Sequence, residues 1–526
     1  ANVIPFDSFP SRVTPARHRQ ILQAARDANM NMVREWGGGI YESDDFYEIC
    51  DELGLMVWQE FAFGGDMVPG DPAYQENVRE EATQQVKRLR DHPSIVLWCG
   101  NNEIEVGWDN WADRIAYRLS IPPLQSERVW QDYVVMFHDI IKSVVTQYAE
   151  PVPYWPSSPS ANFEAPANSP DSNYGDMHYW GVWHALEPIE NYNLQNPRFM
   201  SEFGFQSFPE MRTILSFAQT SDLAIDSVVM QSHQKNHGGN ERILTYMLRD
   251  YSEPRNFAAF VYLSQVLHAE AIKAGAEHLR RNRPRTMGAL YWQLNDCWPV
   301  ASWSSIDYYG RWKALQYYAR RFYNDLLISP VLHDGVVDAY VVSDKLQPVN
   351  GQIRMRLLDF SGKTLLDKTQ DVQVPAQSSA VYFSVNPKDL PSAPDPDQTF
   401  LAFDFVVGGQ IVSRNLLFFD TMRNLDLPTN PAIETQVTQT AEGYTITLRS
   451  PVLARNVFLS FEALGDVNIQ LSDNYFDLLP GEAVTVTART PASLDQLKGA
   501  MKITTLTDAF SFPKPDYRVH ARQKLH

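Results

Sequence analysis

The sequence predicts a (β/α)8 barrel over residues 1–328 followed by two immunoglobulin-like β-sandwiches over 329–427 and 428–526, and three observations support it. In the first segment short apolar runs alternate with amphipathic stretches, the pattern of a parallel sheet wrapped by helices. From Val331 onward apolar residues recur at every second position between turn signals, as in sandwich strands. Within Leu425–Pro431, the stretch Leu427-Pro-Thr-Asn-Pro431 separates two sandwich-sized halves.

Taken in order, the apolar runs place barrel strands near Asn2–Pro5, Asn31–Arg34, Met56–Glu60, Ile95–Gly100, Val152–Trp155, Asp176–Tyr179, Phe199–Glu202 and Ala289–Gln293. Helices such as Pro15–Ala28, Ser43–Leu53, Gln75–Leu89 and Glu127–Gln147 lie between them, each apolar on one face at three- and four-residue spacing. The later period-2 runs are Val336–Val342, Gln352–Leu358, Ala380–Val385, Thr399–Val407, Tyr444–Arg449, Val457–Ala463 and Ala483–Ala488. Pro391-Ser-Ala-Pro-Asp-Pro396 reads as a surface loop, because strand pattern resumes at Thr399.

Composition narrows the function classes. The chain has 45 Lys and Arg against 63 Asp and Glu, a formal charge of −18 with no basic cluster, so nucleic acid and anionic membrane are excluded as partners. No run of 18 apolar residues is present, so no membrane-spanning helix is expected. Cys50, Cys99 and Cys297 have no CxxC spacing and leave one thiol over, which argues against a disulfide scaffold. Many of the 13 Trp flank polar residues at the ends of apolar runs, a placement suited to sugar faces.

The reacting groups of a parallel barrel sit at the carboxyl ends of its strands. Two carboxylates meet that condition: Glu103, after Ile95-Val-Leu-Trp-Cys-Gly-Asn-Asn at the fourth strand, and Glu202, in Arg198-Phe-Met-Ser-Glu202 at the seventh. Strands three places apart around the ring face each other across its mouth. A carboxylate pair about 5–5.5 Å apart performs double displacement, one attacking the sugar carbon while the other protonates the leaving oxygen. Other constellations are incomplete. His233 and His237 sit in a polar loop without a third ligand, Asp66, Asp71 and Glu76 lack EF-hand spacing, and Gly37-Gly-Gly39 lacks the following Lys-Ser/Thr of a phosphate loop, so it reads as close backbone approach near a pocket. No metal or other cofactor is expected.

Trp98-Cys-Gly-Asn-Asn-Glu103 resembles the acid/base segment of family 2 β-mannosidases, and Met200-Ser-Glu202-Phe-Gly resembles their nucleophile segment. Val33-Arg-Glu-Trp-Gly-Gly-Gly-Ile-Tyr41, the Cys50–Phe61 stretch, His92-Pro-Ser-Ile95 and Tyr291-Trp-Gln-Leu-Asn-Asp-Cys-Trp298 also resemble blocks of that family, in order. The resemblance implies a retaining exo-β-mannosidase with Glu103 as acid/base and Glu202 as nucleophile. It further implies that Asn102 hydrogen-bonds the sugar 2-hydroxyl, and that Trp36, Trp111 and Trp292 shape the sugar pocket. Asp66 and Tyr179 are implied as hydroxyl and nucleophile partners, and Arg34 as the group that orients Glu202 or compensates its charge. The expected ligands are β-mannoside oligosaccharides or N-glycan core fragments.

Endo-β-mannosidase action on glycoprotein glycans, exo-β-glucosaminidase action and a non-catalytic carbohydrate-binding role stand as alternatives. A glucosaminidase would want a further carboxylate facing a 2-ammonium group, and a binding protein would not need both glutamates. Family members carry a sugar-binding sandwich and an immunoglobulin-like domain before the barrel, whereas this sequence opens at Ala1-Asn-Val-Ile-Pro5. N-terminal domains of the same polypeptide are therefore expected as partners, with the pocket rim open without them. Periplasmic, lysosomal and cytoplasmic locations suit such an enzyme equally.

Overall fold

The structure, a computed structural model, describes residues 1–164, 168, 173–390, 395–465 and 467–511; positions 391–394 of the expected Pro-rich loop lie outside the described residues. Five parallel strands pair in chain order: β1 (Asn2–Val3), β2 (Met32–Glu35), β3 (Met56–Glu60), β4 (Ile95–Cys99) and β5 (Tyr154–Trp155). Next come β6 (Met177–Tyr179) and β7 (Met200–Phe203), parallel to each other. The eighth position is held by residues 288–294, which form ladder bonds without being a regular strand. Met200 N donates to Gly288 O (3.0 Å) and Leu290 N to Met200 O (2.9 Å) on one side, while Asn2 N donates to Tyr291 O (3.0 Å) and Leu294 N to Asn2 O (2.8 Å) on the other. Those bonds join the last position to the first, and Asp176 N donating to Ser160 O (3.4 Å) joins the fifth to the sixth.

The helices follow their capping chemistry. Thr14 accepts from Arg17 N at the start of Pro15–Asp27, and Gly54 at φ 68° closes Asp44–Leu53. The helix expected from Gln75 starts at Pro72, because Asp71 caps it through Tyr74 N and Pro72 fills the first helical position. The stretch expected over Glu127–Gln147 lies within a longer helical run: Pro123–Val134, a π-helical turn Val135–Ile140, then Ile141–Ala149.

Strand alternation sorts charge at β2. Arg34 reaches other strand ends inside the barrel, so its neighbour Glu35 points outward against the helices. Glu35 is 1 % exposed, and neither carboxyl oxygen has a hydrogen-bond partner. Burial, then the charges of Glu42 and Glu60, push its pKa well above the ordinary carboxyl value. A carboxyl whose pKa is raised on folding costs stability once pH exceeds its unfolded value, because the unfolded chain releases the proton more readily. Glu35→Val should therefore raise stability by about 1–3 kcal/mol at pH 7 and by less at pH 4. Equal melting temperatures at pH 7 would refute this account of the site.

Beyond the barrel, β8 (Leu326–His333), β9 (Val336–Ser343), β10 (Val349–Asp359), β11 (Thr364–Val374), β12 (Ser378–Val385), β13 (Thr399–Val407) and β14 (Gln410–Phe418) build the first sandwich. Its sheets are β11-β10-β13-β14 and β12-β9-β8, around Ile328, Val341, Ile353, Met355, Leu401 and Phe403. Strand β8 starts at Leu326, ahead of position 329. The second sandwich comprises β15 (Glu434–Thr440), β16 (Gly443–Arg449), β17 (Ala454–Ser460), β18 (Gln470–Leu471), β19 (Phe476–Leu478), β20 (Ala483–Arg489) and β21 (Lys502–Thr504). They form sheets β15-β16-β20-β18 and β19-β17-β21 around Ile446, Leu448, Val457 and Val486. The strand expected over Val457–Ala463 ends at Ser460, where a 3-10 turn, Glu462–Leu464, takes over.

Two compact units emerge, one of residues 1–205, 274–298 and 303–310, the other of 206–273, 299–302 and 311–526. The segment 206–273 groups with the sandwiches because its side chains engage the second one. Arg455 pairs with Glu270 (3.1 Å), and Tyr262 OH donates to Asn456 O (2.7 Å). Among the described residues no helix is long and apolar enough to cross a membrane.

Candidate active site

Three consecutive residues after β4 divide their work. Asn101 Oδ1 accepts from Ile104 N (3.1 Å) and Ser157 Oγ (2.8 Å), so it satisfies the first N–H of the helix Ile104–Asn110 and ties it to the segment after β5. Asn102 Oδ1 accepts from Arg34 Nη2 (2.7 Å). Glu103 sits at φ 59°, ψ 13°, a left-handed conformation that costs a residue with a Cβ roughly 1–2 kcal/mol. The bonds from Ile104 N to Asn101 Oδ1 and from Glu103 N to Ser158 O (2.8 Å) offset that cost and fix where the carboxyl points.

Arg34 is the hub of the strand ends and is fully buried. Nε donates to Glu60 Oε1 (2.8 Å), Nη1 to Asn2 Oδ1 (2.8 Å) and Glu202 Oε1 (2.5 Å), and Nη2 to Asn102 Oδ1. Asn2 Nδ2 in turn donates to Ser201 O (2.9 Å) and Leu290 O (3.2 Å), linking the first strand to the seventh and eighth positions. Glu60 Oε2 accepts from Gly37 N (2.7 Å). Only glycine fits there: a Cβ on Gly37 would lie 2.4 Å from Phe63 O, and one on Gly38 would lie 2.0 Å from the Trp36 ring. The Gly37-Gly-Gly39 run thus lets the backbone lie against Glu60 and leaves room for Trp36.

His178, on β6, bridges the two glutamates. Nδ1 lies 2.8 Å from Glu103 Oε1 and 3.5 Å from Glu202 Oε2, and Nε2 lies 3.0 Å from Ser158 Oγ. One ligand-type atom from each of Glu103, His178 and Glu202 falls within 4.8 Å of the others, the cluster among the described residues with the spacing of a cation site. Arg34 already sits against Glu202 as a countercharge, which disfavours a second cation there.

Electrostatics separates the two carboxyls. Burial pushes Glu103 up to about 7, although Arg34 and a hydrogen bond from Asn102 oppose it, so it can hold a proton near neutral pH. Burial also raises Glu202, while the Arg34 guanidinium pulls it back through its charge and its hydrogen bond. Burial lowers His178 to about 4 and keeps the ring neutral at neutral pH.

Half-buried Trp36 and Trp292 meet edge to face at 5.0 Å between ring centroids, while the Trp111 ring packs on Gly107 and Gly65. Gly65 N donates to Asn102 O, so Trp111 stands beside the loop that carries Glu103. Two expected site residues lie elsewhere. Asp66, with its side chain 81 % exposed, pairs with Arg114. Tyr179 turns away from the glutamates and donates to Glu187, because alternation along β6 gives the inward position to His178. Sequence reasoning missed His178, Asn2, Glu60, Ser158 and Asp176. Asn2, Glu60 and Asp176 are polar residues beside apolar strand runs, a signal that was present. His233 donates to Pro299 O and stacks on Phe217, and the three cysteines are free thiols.

Comparison with known proteins agrees with this architecture. Residues 19–119 match the family model described as "Glycosyl hydrolases family 2, TIM barrel domain", 335–424 the "Mannosidase Ig/CBM-like domain", and 429–509 an "Ig-fold domain". Beta-mannosidase of Capra hircus is 33% identical over 97% of this chain and 60% of its own length. Beta-mannosidase B of Aspergillus niger is 30% identical over 92% of this chain and 58% of its own. The crystal structure of a β-D-mannosidase from Dictyoglomus thermophilum superposes with a TM-score of 0.87 at 35% identity, covering 96% of this chain and 59% of that one. An exo-chitosanase from Amycolatopsis orientalis, 20% identical with a TM-score of 0.72 over 96% of this chain and 62% of its own, shares the fold. The chain spans about three fifths of the length of the curated relatives it matches. With a barrel of that family, two mannosidase-type sandwiches and relatives aligned along nearly all of its residues, the chain belongs to glycoside hydrolase family 2.

Proposed function

We propose that this site releases terminal, non-reducing β-D-mannose from β-mannosides by double displacement, with retention of configuration. The observation that carries the reading is the spacing of the carboxyls. An oxygen of Glu103 lies within 4.8 Å of one of Glu202, an approach that suits the roughly 5–5.5 Å carboxyl separation of retaining pairs better than the roughly 6.5–9.5 Å of inverting ones. The relatives named β-mannosidases favour mannose as the sugar.

In this reading Glu202 attacks the anomeric carbon as Glu103 gives its proton to the leaving oxygen, forming a mannosyl-enzyme ester. Glu103 then takes a proton from water, which attacks the same carbon and expels Glu202. Asn102, its oxygen held by Arg34, is placed to donate its amide hydrogens to the sugar 2-hydroxyl as positive charge grows on the ring. Trp36, Trp292 and Trp111 supply indole surface for the apolar side of the pyranose. β-Mannoside oligosaccharides and N-glycan core fragments are the substrate class.

Proton NMR of an aryl β-mannoside digest should show β-mannose first and α-mannose only later, by mutarotation. α-Mannose as the first product would remove the double-displacement assignment, and no turnover would remove the substrate.

A further inference from the structure

We infer that Asp176 and Ser158 are positioning residues that hold His178 as its Nε2–H tautomer, so that the bare Nδ1 accepts a hydrogen bond from the protonated Glu103. The argument is a count of hydrogens. Asp176 accepts from three donors: Ser158 Oγ (2.6 Å) and Ser201 Oγ (2.6 Å) at Oδ2, and Ser160 N (3.0 Å) at Oδ1. Ser158 has one hydroxyl hydrogen, and giving it to Asp176 leaves only lone pairs toward His178 Nε2, 3.0 Å away. Nε2 must then carry the hydrogen. A neutral ring in that state presents a lone pair at Nδ1, 2.8 Å from Glu103 Oε1, and two lone pairs at that distance repel unless a hydrogen lies between them. The hydrogen sits on Glu103.

Backbone contacts leave the ring little freedom to escape this arrangement. Asn168 donates to His178 O (2.7 Å) and accepts from His178 N (2.8 Å), and the His178 side chain is 1 % exposed. The charged groups facing the pair are Arg34, Glu202 and Asp176, with Glu60 behind Arg34 and Glu105 one hydroxyl beyond Asp176's donor Ser160, accepting from Ser160 Oγ (2.7 Å). Burial, which lowers His178 to about 4, agrees with a neutral ring.

The tautomer matters to both chemical steps, and this rests on the proposed acid/base role of Glu103. A lone pair at Nδ1 favours the protonated acid, whose hydrogen a bound glycosidic oxygen competes for. Once that proton is gone, the same lone pair makes Glu103 a stronger base toward water. The other tautomer would donate Nδ1–H to the carboxylate, favour its ionised form and weaken it in both roles.

Asp176→Asn provides the test. Ser160 N–H fixes the amide oxygen at the Oδ1 position, so the amide nitrogen faces Ser158. Ser158 must then accept, and its hydrogen is released to His178 Nε2. In the unliganded protein at pH 6, 15N NMR of labelled histidine, assigned by difference from His178→Gln, should show Nδ1 bare and Nε2 protonated in the natural sequence. In Asp176→Asn the two should exchange roles, and Ser158→Thr, which keeps the hydroxyl, should not. The alkaline limb of kcat/KM on a poorly activated aryl mannoside should fall by about one pH unit in Asp176→Asn. Turnover of a dinitrophenyl mannoside, which needs no proton to leave, should keep its alkaline profile. A protonated Nδ1 in the natural sequence, or an Asp176→Asn variant with tautomer and limb unchanged, would overturn the inference. Absence of mannosidase turnover would remove the proposed function instead, while the NMR result still decides the tautomer.

Discussion

Glu202→Ala should lower kcat by roughly five orders of magnitude or more on every substrate, because no other group can form the mannosyl ester. The candidate replacements are accounted for: Glu60 is locked between Arg34 and Gly37 N, and Glu103 is held by His178 and serves the leaving group in the proposed reaction. Arg34 keeps Glu60 as its countercharge when Glu202 is removed, so the variant should still fold. Glu103→Ala separates the roles. It should abolish turnover of poorly activated glycosides but spare formation of the glycosyl-enzyme from dinitrophenyl mannoside, whose leaving group needs no acid. Azide should then rescue it and yield β-mannosyl azide, because the small anion fits where the carboxyl stood and needs no general base. Equal losses on both substrates for both variants, measured by single-turnover kinetics, would contradict the assignment.

The legible parts of this molecule are those where one period dominates. β3 and β4 are apolar runs with polar residues at or just after their ends, which marked Glu103 without any knowledge of the fold, whereas β7 is only Met-Ser-Glu-Phe with Glu202 inside it. Edge strands are harder to see. Thr364–Val374 and Glu434–Thr440 lie at the rims of their sheets and are exposed along most of their length, so solvent removes the alternation that reveals a strand. The eighth barrel position was found from its apolar run, Ala289–Gln293, although ladder bonds without regular strand geometry hold it in place.

The site residues that sequence misplaced or missed have separate physical causes. β6 is Met-His-Tyr, too short for period two to decide which residue faces inward, and a one-residue choice exchanges His178 for Tyr179. Asp66 lies in a loop, where no period applies. Ser158 and Asp176 meet only because the ring brings the fifth and sixth positions together. Arg34 was legible as a charge at a strand end, but its four acceptors come from four different strand ends, and that convergence belongs to the folded barrel.

That convergence makes Arg34 the second site where one substitution should have a large effect. Arg34→Met keeps the length of the side chain and removes the guanidinium, leaving Glu60 and Glu202, whose side chains are 0% and 5% exposed, without their shared countercharge. Removing one partner of a buried pair costs about 3–5 kcal/mol, and here Asn2 Oδ1 and Asn102 Oδ1 lose donors as well. In the proposed reaction Glu202 needs its negative charge to attack, and the Arg34 guanidinium lowers its pKa. Without it the pKa rises, and the acidic limb of kcat/KM should move to higher pH, by at least about one unit. At the optimum kcat should still fall about 10²–10³-fold, since Asn102 loses the contact that aims its amide. Arg34→Met combined with Glu60→Gln should recover stability but not rate, because the second change removes an orphaned charge and restores nothing to Glu202. Thermal unfolding and pH–rate profiles of the single and double variants decide the matter. An acidic limb unmoved in Arg34→Met would mean that Glu202 does not depend on this guanidinium for its charge.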